Sequence, residues 1–117
     1  MFYEPSAGHG LPHDPFKAIV SPRPIGWIST LSRDGALNLA PYSYFNALSG
    51  NPPLVWFSSD GSKDSATAAQ ETGEFVANLV GRDLAQKMNA SSVNAPRGVS
   101  EFDYAELATA PSRLVRP

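Results

Sequence analysis

The sequence predicts a single domain of the α+β class, mainly β, whose sheet curls toward a barrel. Short runs rich in aromatic, β-branched and other apolar residues occur at 25–28, 37–45, 54–57 and 74–80, separated by Gly, Pro and Asp turns. Two or three short helical segments lie between or after these runs. A length of 117 residues suits one hydrophobic core.

Residues 1–15 are predicted to be a loosely ordered N-terminal arm, because glycines and prolines recur through them. His9 and His13 have a spacing that would turn both rings toward one metal on a helix. Pro12 disfavours a helix there, so we interpret both as solvated loop side chains and predict no metal site. Residues 16–20 are predicted to be a short strand or a lead-in.

An antiparallel hairpin is predicted from the runs at 25–28 and 37–45. The Asp34-Gly35 dipeptide between them tolerates the positive φ of a tight turn. Residues 46–50 are predicted to be a brief helical turn or a wide connection, and a third strand follows at 54–57.

A first main helix is predicted to begin near Ser65, with Asp64 or Ser62 as its cap and Gly73 at its end. Its inward face should consist of small side chains, namely Ala66, Ala69 and Thr72.

A strand is predicted at 74–80, followed by a second helix with Gly81 at its N-cap. Residues 89–99 are predicted to be a loop. Ser100 and Asp103 form a capping-box pattern that predicts another short helix.

Charge and composition exclude several classes of protein. The formal net charge is −2, and no dense basic stripe of the kind that binds nucleic acid occurs. The chain has no cysteine, so neither disulfides nor thiolate metal sites are possible. No apolar run reaches the roughly 20 residues that cross a bilayer, and the N-terminus lacks a signal-peptide pattern. We therefore expect a cytoplasmic protein with no membrane partner.

A polar loop before the first main helix is the strongest candidate for binding. Lys63 and the hydroxyls of Ser62 and Ser65 precede a helix N-terminus, where free amide groups and the helix dipole favour an anion such as phosphate. From these residues alone, a simple helix cap is the more common interpretation of such a serine-rich loop. Tyr42 and Tyr44 share one face of their strand and either pack in the core or border a flat ligand.

No catalytic constellation of side chains occurs in the sequence. There is no nucleophile elbow, no paired-carboxylate motif, no Walker loop and no dinucleotide fingerprint. The sequence therefore predicts no catalytic residue, and a bound cofactor would have to supply any chemistry.

Four stretches carry a resemblance to a known family: RPIGWISTLSRDGALNLAPYSYFNALSGNPPLVWFSS, KDS, ETGEFVANLV and DLAQKMNASS. Together they resemble the flavin reductase-like family of FMN-binding split β-barrel proteins, in register over about residues 16–117. The resemblance implies that residues 16–117 are the N-terminal portion of one split-barrel domain, without the family's C-terminal part.

The resemblance implies a homodimer with FMN in a groove near the interface. Such proteins pass hydride from NADH or NADPH to flavin, and the reduced flavin or its electrons go on to a flavin-using oxygenase or another acceptor. The alternative is a non-catalytic FMN-binding protein or electron carrier. A β-barrel that binds oligonucleotides is disfavoured by the acidic balance.

The resemblance also implies which residues contact FMN. Those expected at the flavin or its ribityl chain are Thr30 and Asn38. Those expected along the isoalloxazine ring are Ala40, Pro41, Tyr42 and Ser43. Those expected near ribityl and phosphate are Ser58 and Ser59. Those expected at the phosphate are Lys63, Asp64 and Ser65, with Lys63 neutralising charge and Ser65 adding directed hydrogen bonds. No side chain need act as acid or base, because the flavin ring accepts the hydride.

Overall fold

The computed structural model describes residues 2–93, 95 and 99–117 of the chain. Within them the chain forms five β-strands and four short α-helices. The strands are β1 (Gly26–Leu31), β2 (Leu37–Tyr42), β3 (Phe45–Gly50), β4 (Pro53–Phe57) and β5 (Val76–Asn78). The helices are α1 (Pro15–Ile19), α2 (Asp64–Thr72), α3 (Ala85–Ala90) and α4 (Glu101–Tyr104). The predicted α+β class, mainly β with short helices, is confirmed.

The central layer is a three-stranded antiparallel sheet in the order β2-β1-β5. Ile28 of β1 lies opposite Ala40 of β2 on one side and Ala77 of β5 on the other. Strand β1 has a neighbouring strand on each side, and α2 packs against it. Its Trp27, Ile28 and Thr30 are buried and form the core with Leu39 of β2. The predicted hairpin is confirmed, and its turn places Gly35 at a φ of 89°.

The second layer is a separate two-stranded sheet of β3 and β4. The predicted strand at 37–45 is in fact interrupted at Ser43 and Tyr44, where the chain leaves the first sheet. The prediction of a helical turn or wide connection at 46–50 was wrong, because those residues pair with β4. The predicted third strand is confirmed as β4. Aromatic contact joins the two sheets, with the Tyr42 and Phe57 ring centroids 4.9 Å apart.

The N-terminal helix α1 was missed. Residues 16–20 were predicted to be a short strand or a lead-in, and the strand alternative was wrong. The Asp14 carboxylate accepts a 2.9 Å hydrogen bond from the Phe16 N–H, and Pro15 occupies the first helical turn. The Asp14 cap and the fixed φ of Pro15 outweigh the β preference of the side chains that follow. Helix α1 begins at Pro15 and therefore spans the predicted boundary between an arm at 1–15 and a domain at 16–117. That boundary stays a prediction.

Helix α2 ends as predicted, but it begins differently. Gly73 closes it in the left-handed conformation with a φ of 74°. The predicted cap by Asp64 or Ser62 was wrong, because Lys63 is the N-cap residue and its side chain makes no capping hydrogen bond. Its buried residues are Ser65 and Ala68, rather than the predicted Ala66, Ala69 and Thr72.

The later elements are shorter than predicted. The predicted strand at 74–80 is reduced to β5, and the helix after Gly81 begins with a single 3₁₀ turn, Arg82–Leu84, before α3. Helix α4 has the predicted cap, since the Ser100 Oγ accepts a 3.3 Å bond from the Phe102 N–H. The loop predicted at 89–99 was wrong at its first two residues, because α3 continues to Ala90. Residues 94 and 96–98 of that loop lie outside the described residues. No helix in the described part of the chain is long and apolar enough to cross a membrane.

Candidate functional site

A cleft of about 270 Å³ lies beside the edge strand β2. Three parts of the chain that are distant in sequence form it: β2, the loop and first turn of α2, and residues 91–93, 95 and 101. The residues that line it are Asn38, Ala40, Pro41, Tyr42, Ser62, Lys63, Asp64, Ser65, Ser91, Ser92, Val93, Ala95 and Glu101.

Seven of the predicted FMN contacts are brought together in this cleft. They are Asn38, Ala40, Pro41, Tyr42, Lys63, Asp64 and Ser65. Four are not among the residues that line it: Thr30, Ser43, Ser58 and Ser59. The seven predicted FMN contacts that line the cleft therefore come from β2 and from the N-terminal end of α2.

The four remaining residues occupy neighbouring positions. Thr30 is fully buried in β1, opposite Asn38. The Oγ of Ser43 lies 3.5 Å from the Arg23 Nη2. Ser58 continues from β4 with its N–H donating to the Tyr44 carbonyl at 2.8 Å. Ser59 donates from its Oγ to the Gly61 carbonyl at 3.0 Å. Their predicted contacts with FMN stay predictions.

The N-terminus of α2 is the electropositive end of the cleft. The first hydrogen bond of the helix runs from the Thr67 N–H to the Lys63 carbonyl at 2.9 Å. The N–H groups of Asp64, Ser65 and Ala66 precede it and so have no acceptor within the helix. No N-cap side chain accepts from them either. With the helix dipole and the Lys63 ammonium, which forms no ion pair with any described residue, they suit an anion.

A hydrogen-bonded chain of three side chains crosses the cleft, and we call it the Ser65–Asn38–Glu101 relay. The Ser65 hydroxyl donates to the Asn38 Oδ1. The Asn38 Nδ2 donates to the Glu101 Oε2 at 3.1 Å. The same oxygen accepts the main-chain N–H of Leu39 at 3.2 Å. The relay ties α2, β2 and α4 to one another.

Tyr42 has the core position that was one of its two predicted roles, whereas its predicted contact with a flat ligand stays a prediction. It is buried, and its ring packs against Phe57, yet it also lines the cleft. Its hydroxyl is buried and finds no hydrogen-bond partner among the described residues. Tyr44 instead lies under the Arg23 guanidinium, 5.3 Å from its ring centroid, and is not part of the cleft lining. Of the two tyrosines, only Tyr42 therefore belongs to the cleft lining.

Five residues of the cleft lining were not singled out from the sequence: Ser91, Ser92, Val93, Ala95 and Glu101. Ser91 and Ser92 belong to the NASS stretch, so the resemblance itself was the signal that could have found them. Glu101 has no comparable local signal, because its partner Asn38 lies 63 positions away.

The described residues contain no cluster of three or more His, Asp or Glu side chains that could hold a metal ion. His9 instead uses its Nδ1 to accept a 3.0 Å hydrogen bond from the Leu11 N–H, and its ring meets Tyr3 edge to face. The polar side chains that line the cleft carry amide, hydroxyl, ammonium and carboxylate groups.

Comparison with known proteins identifies the family. Residues 20–117 match the sequence model of the flavin reductase like domain. A protein of Aquifex aeolicus, described as uncharacterized, is 39% identical over 103 residues, which are 84% of this chain and 53% of that protein. The chain spans about half the length of the curated relatives that it matches.

Solved structures agree with this match. Component B of nitrilotriacetate monooxygenase from Bacillus cereus has a TM-score of 0.84 at 29% identity, over 99% of this chain and 60% of that one. The 2-nitrobenzoate 2-nitroreductase of Pseudomonas fluorescens has a TM-score of 0.81 at 28% identity, over 99% and 57%.

The split-barrel fold is supported by a further structure, from Shewanella frigidimarina, which is assigned as a flavin reductase with a split barrel domain. Its TM-score is 0.68 at 24% identity, over 80% of this chain and 46% of that one, so it bears on fold alone. The fold and the resemblance predicted from the sequence are thereby confirmed. The chain belongs to the family of flavin reductase like domains.

Proposed function

We propose that this chain binds FMN in the cleft beside β2 and belongs to an oxidoreductase of the flavin reductase type that takes hydride from NADH or NADPH. The observation that carries the proposal is the uncapped N-terminus of α2 with Lys63, placed in a cleft that seven predicted FMN contacts line. A phosphate monoester is the anion that this arrangement of donors fits.

The cleft residues fall into two groups by the chemistry that they offer to FMN. Lys63 and the free N–H groups of the first turn of α2 hold the phosphate. Ala40, Pro41 and Tyr42 form a wall of β2 against which a flat ring can lie. When bound, the flavin supplies the ring that accepts hydride. The protein binds the cofactor and excludes water from one of its faces.

The wider assignment also stays a proposal. One similar structure is a component B of a monooxygenase, which favours a flavin-using oxygenase as the downstream acceptor. The homodimer and the cytoplasmic location predicted from the sequence belong to the same proposal. The alternative is a protein that binds FMN without nicotinamide turnover, as an electron carrier would.

The test begins with binding and then measures turnover. The purified protein is titrated with FMN, riboflavin and FAD while flavin fluorescence is followed, and size-exclusion chromatography with light scattering gives its oligomeric state. We expect FMN to bind more tightly than riboflavin, because FMN carries a phosphate and riboflavin does not. Oxidation of NADH and NADPH is then followed by absorbance with FMN present.

Each outcome separates the candidate functions. FMN binding together with nicotinamide oxidation supports the reductase. FMN binding without oxidation of either nicotinamide supports the electron carrier instead. Equal affinity for FMN and riboflavin would show that the phosphate is not held at α2, and absence of any flavin binding would overturn the proposal.

A further inference from the structure

Glu101 belongs to the cleft lining but is not one of the expected FMN ligands. We propose that Glu101 is the positioning residue of the cleft: its carboxylate fixes the Asn38 amide, and Asn38 in turn fixes the Ser65 hydroxyl. The proposal deepens the proposed function and rests on it, because the group being positioned is the FMN-binding face of β2 and α2.

One oxygen of Glu101 makes both of its hydrogen bonds to β2. The Oε2 accepts from the Asn38 Nδ2 at 3.1 Å and from the Leu39 N–H at 3.2 Å. Since β2 is an edge strand of its sheet, the Leu39 N–H has no neighbouring strand on that side among the described residues. Glu101 thus provides an acceptor for the Leu39 N–H at the sheet edge and also fixes the Asn38 side chain.

The carboxylate also decides which way the Asn38 amide points. A carboxylate only accepts hydrogen bonds, so the NH₂ group of Asn38 must face Glu101 and its carbonyl oxygen must face Ser65. That oxygen then takes the hydroxyl hydrogen of Ser65, whose side chain is 1% exposed. With Glu101 in place, the relay has one arrangement of donors and acceptors.

This arrangement changes the role expected of Ser65. Its hydrogen is directed to Asn38, so the hydroxyl offers lone pairs, and not a donor, to any other group. An anion at the N-terminus of α2 must then draw its donors from Lys63 and from main-chain N–H groups. Ser65 serves by holding the first turn of α2 against β2, which keeps those N–H groups aimed at one point.

Two substitutions at the same position separate hydrogen bonding from charge. Glu101→Ala removes the acceptor. Glu101→Gln removes the charge but can place its carbonyl oxygen where Oε2 lies, and one oxygen is all that both bonds use. Asp103→Ala is the matched control, because Asp103 is an exposed acidic residue in the first turn of the same helix.

The first readout needs no flavin. Hydrogen exchange of the Leu39 N–H and of the Asn38 side-chain amide is measured by nitrogen-15 NMR on the ligand-free protein. We expect exchange to accelerate on the order of tenfold in Glu101→Ala and to stay near wild type in Glu101→Gln and Asp103→Ala. If the alanine variant does not fold, Glu101→Met, which keeps the length but lacks a strong acceptor, takes its place.

The second readout is FMN affinity from flavin fluorescence. Glu101→Ala should weaken it on the order of tenfold, while the glutamine variant and the Asp103 control stay within about twofold of wild type. Unchanged exchange in the alanine variant, or a glutamine variant as impaired as alanine, overturns the positioning role. If wild type itself binds no FMN, the proposed function fails, whereas the exchange rates still decide whether Glu101 holds Asn38.

Discussion

The indole Nε1 of Trp27 donates a 2.9 Å hydrogen bond to the Oγ of Ser91, which lies 64 positions further along the chain. Both side chains are buried, Trp27 in the central strand β1 and Ser91 at the end of α3. The Ser91 hydroxyl donates in turn to the Met88 carbonyl at 2.7 Å. Because Ser91 also lines the cleft, this bond anchors one cleft wall to the core of the sheet.

Ser91→Ala should lower the free energy of unfolding by about 1–3 kcal/mol, because it leaves a buried indole N–H without a partner. Urea denaturation followed by tryptophan fluorescence measures the change. Ser92→Ala is the matched control, since Ser92 is exposed and, among the described residues, its hydroxyl bonds to the nearby Asn89 carbonyl. A Ser91 variant as stable as the Ser92 control would show that the bond contributes little.

Lys63→Ala should weaken FMN binding by about 1–3 kcal/mol, the range for a hydrogen bond assisted by charge. Its affinity for riboflavin should not change, because riboflavin has no phosphate. Fluorescence titration with both flavins measures the difference. Lys17→Ala serves as the control, since Lys17 pairs with Asp14 in α1 and does not line the cleft. An equal loss of affinity for FMN and riboflavin in the Lys63 variant would show that Lys63 does not bind the phosphate.

Gly26→Ala should destabilise the contact between the two sheets. A Cβ at this position would lie 2.5 Å from the Cγ and Cδ2 atoms of Phe45, so the aromatic ring would have to move. We expect the free energy of unfolding to fall by about 1–3 kcal/mol, as for overpacked cores.

Gly50→Ala is the control for this change. Gly50 lies in β3, and a Cβ there meets no atom within 4 Å. Its substitution should change the free energy of unfolding by no more than about 0.5 kcal/mol. Thermal and urea unfolding measure the stability of both variants. If Gly26→Ala were as stable as Gly50→Ala, the close approach of Gly26 to the Phe45 ring would be contradicted.

The hairpin turn contains a carboxyl group whose pKa is perturbed. The Ser32 hydroxyl donates to the Asp34 Oδ1 at 2.7 Å, and this bond, followed by that of the Asp34 N–H itself, holds the pKa of Asp34 below its ordinary value of 3.8. Since the pKa is lower in the folded state, the stabilisation is present above the unfolded pKa and is lost as pH falls through the folded pKa.

Ser32→Ala should therefore raise the pKa of Asp34 toward 3.8, because it removes the larger cause of the shift. An NMR titration of the Asp34 carboxyl carbon measures it, with Ser32→Thr as a variant that keeps the hydroxyl. Stability also falls in the alanine variant because Ser32 Oγ accepts the Ala36 N–H, so the titration is the deciding measurement. An unchanged Asp34 pKa would contradict the assigned cause.

Local sequence signals predicted the features that depend on neighbouring residues. Asp34-Gly35 predicted the hairpin turn, Gly73 the end of α2, and Ser100 the start of α4, because each acts through its own backbone conformation or a hydrogen bond within one turn. The cleft residues of β2 and α2 were also predicted, although by resemblance to a family and not by spacing. The missed α1 shows that an Asp-Pro helix start can outweigh β-favouring side chains.

The sequence by itself determined the hairpin, the α+β class, the family and most of the residues that meet in the cleft. Only the tertiary structure decided that the chain changes sheets at Ser43 and Tyr44, and that Ser91 and Glu101 complete the cleft. The physical reason is sequence distance: Glu101 reaches Asn38 across 63 positions. No local periodicity encodes such a contact, which forms only when α4 packs beside the edge of β2.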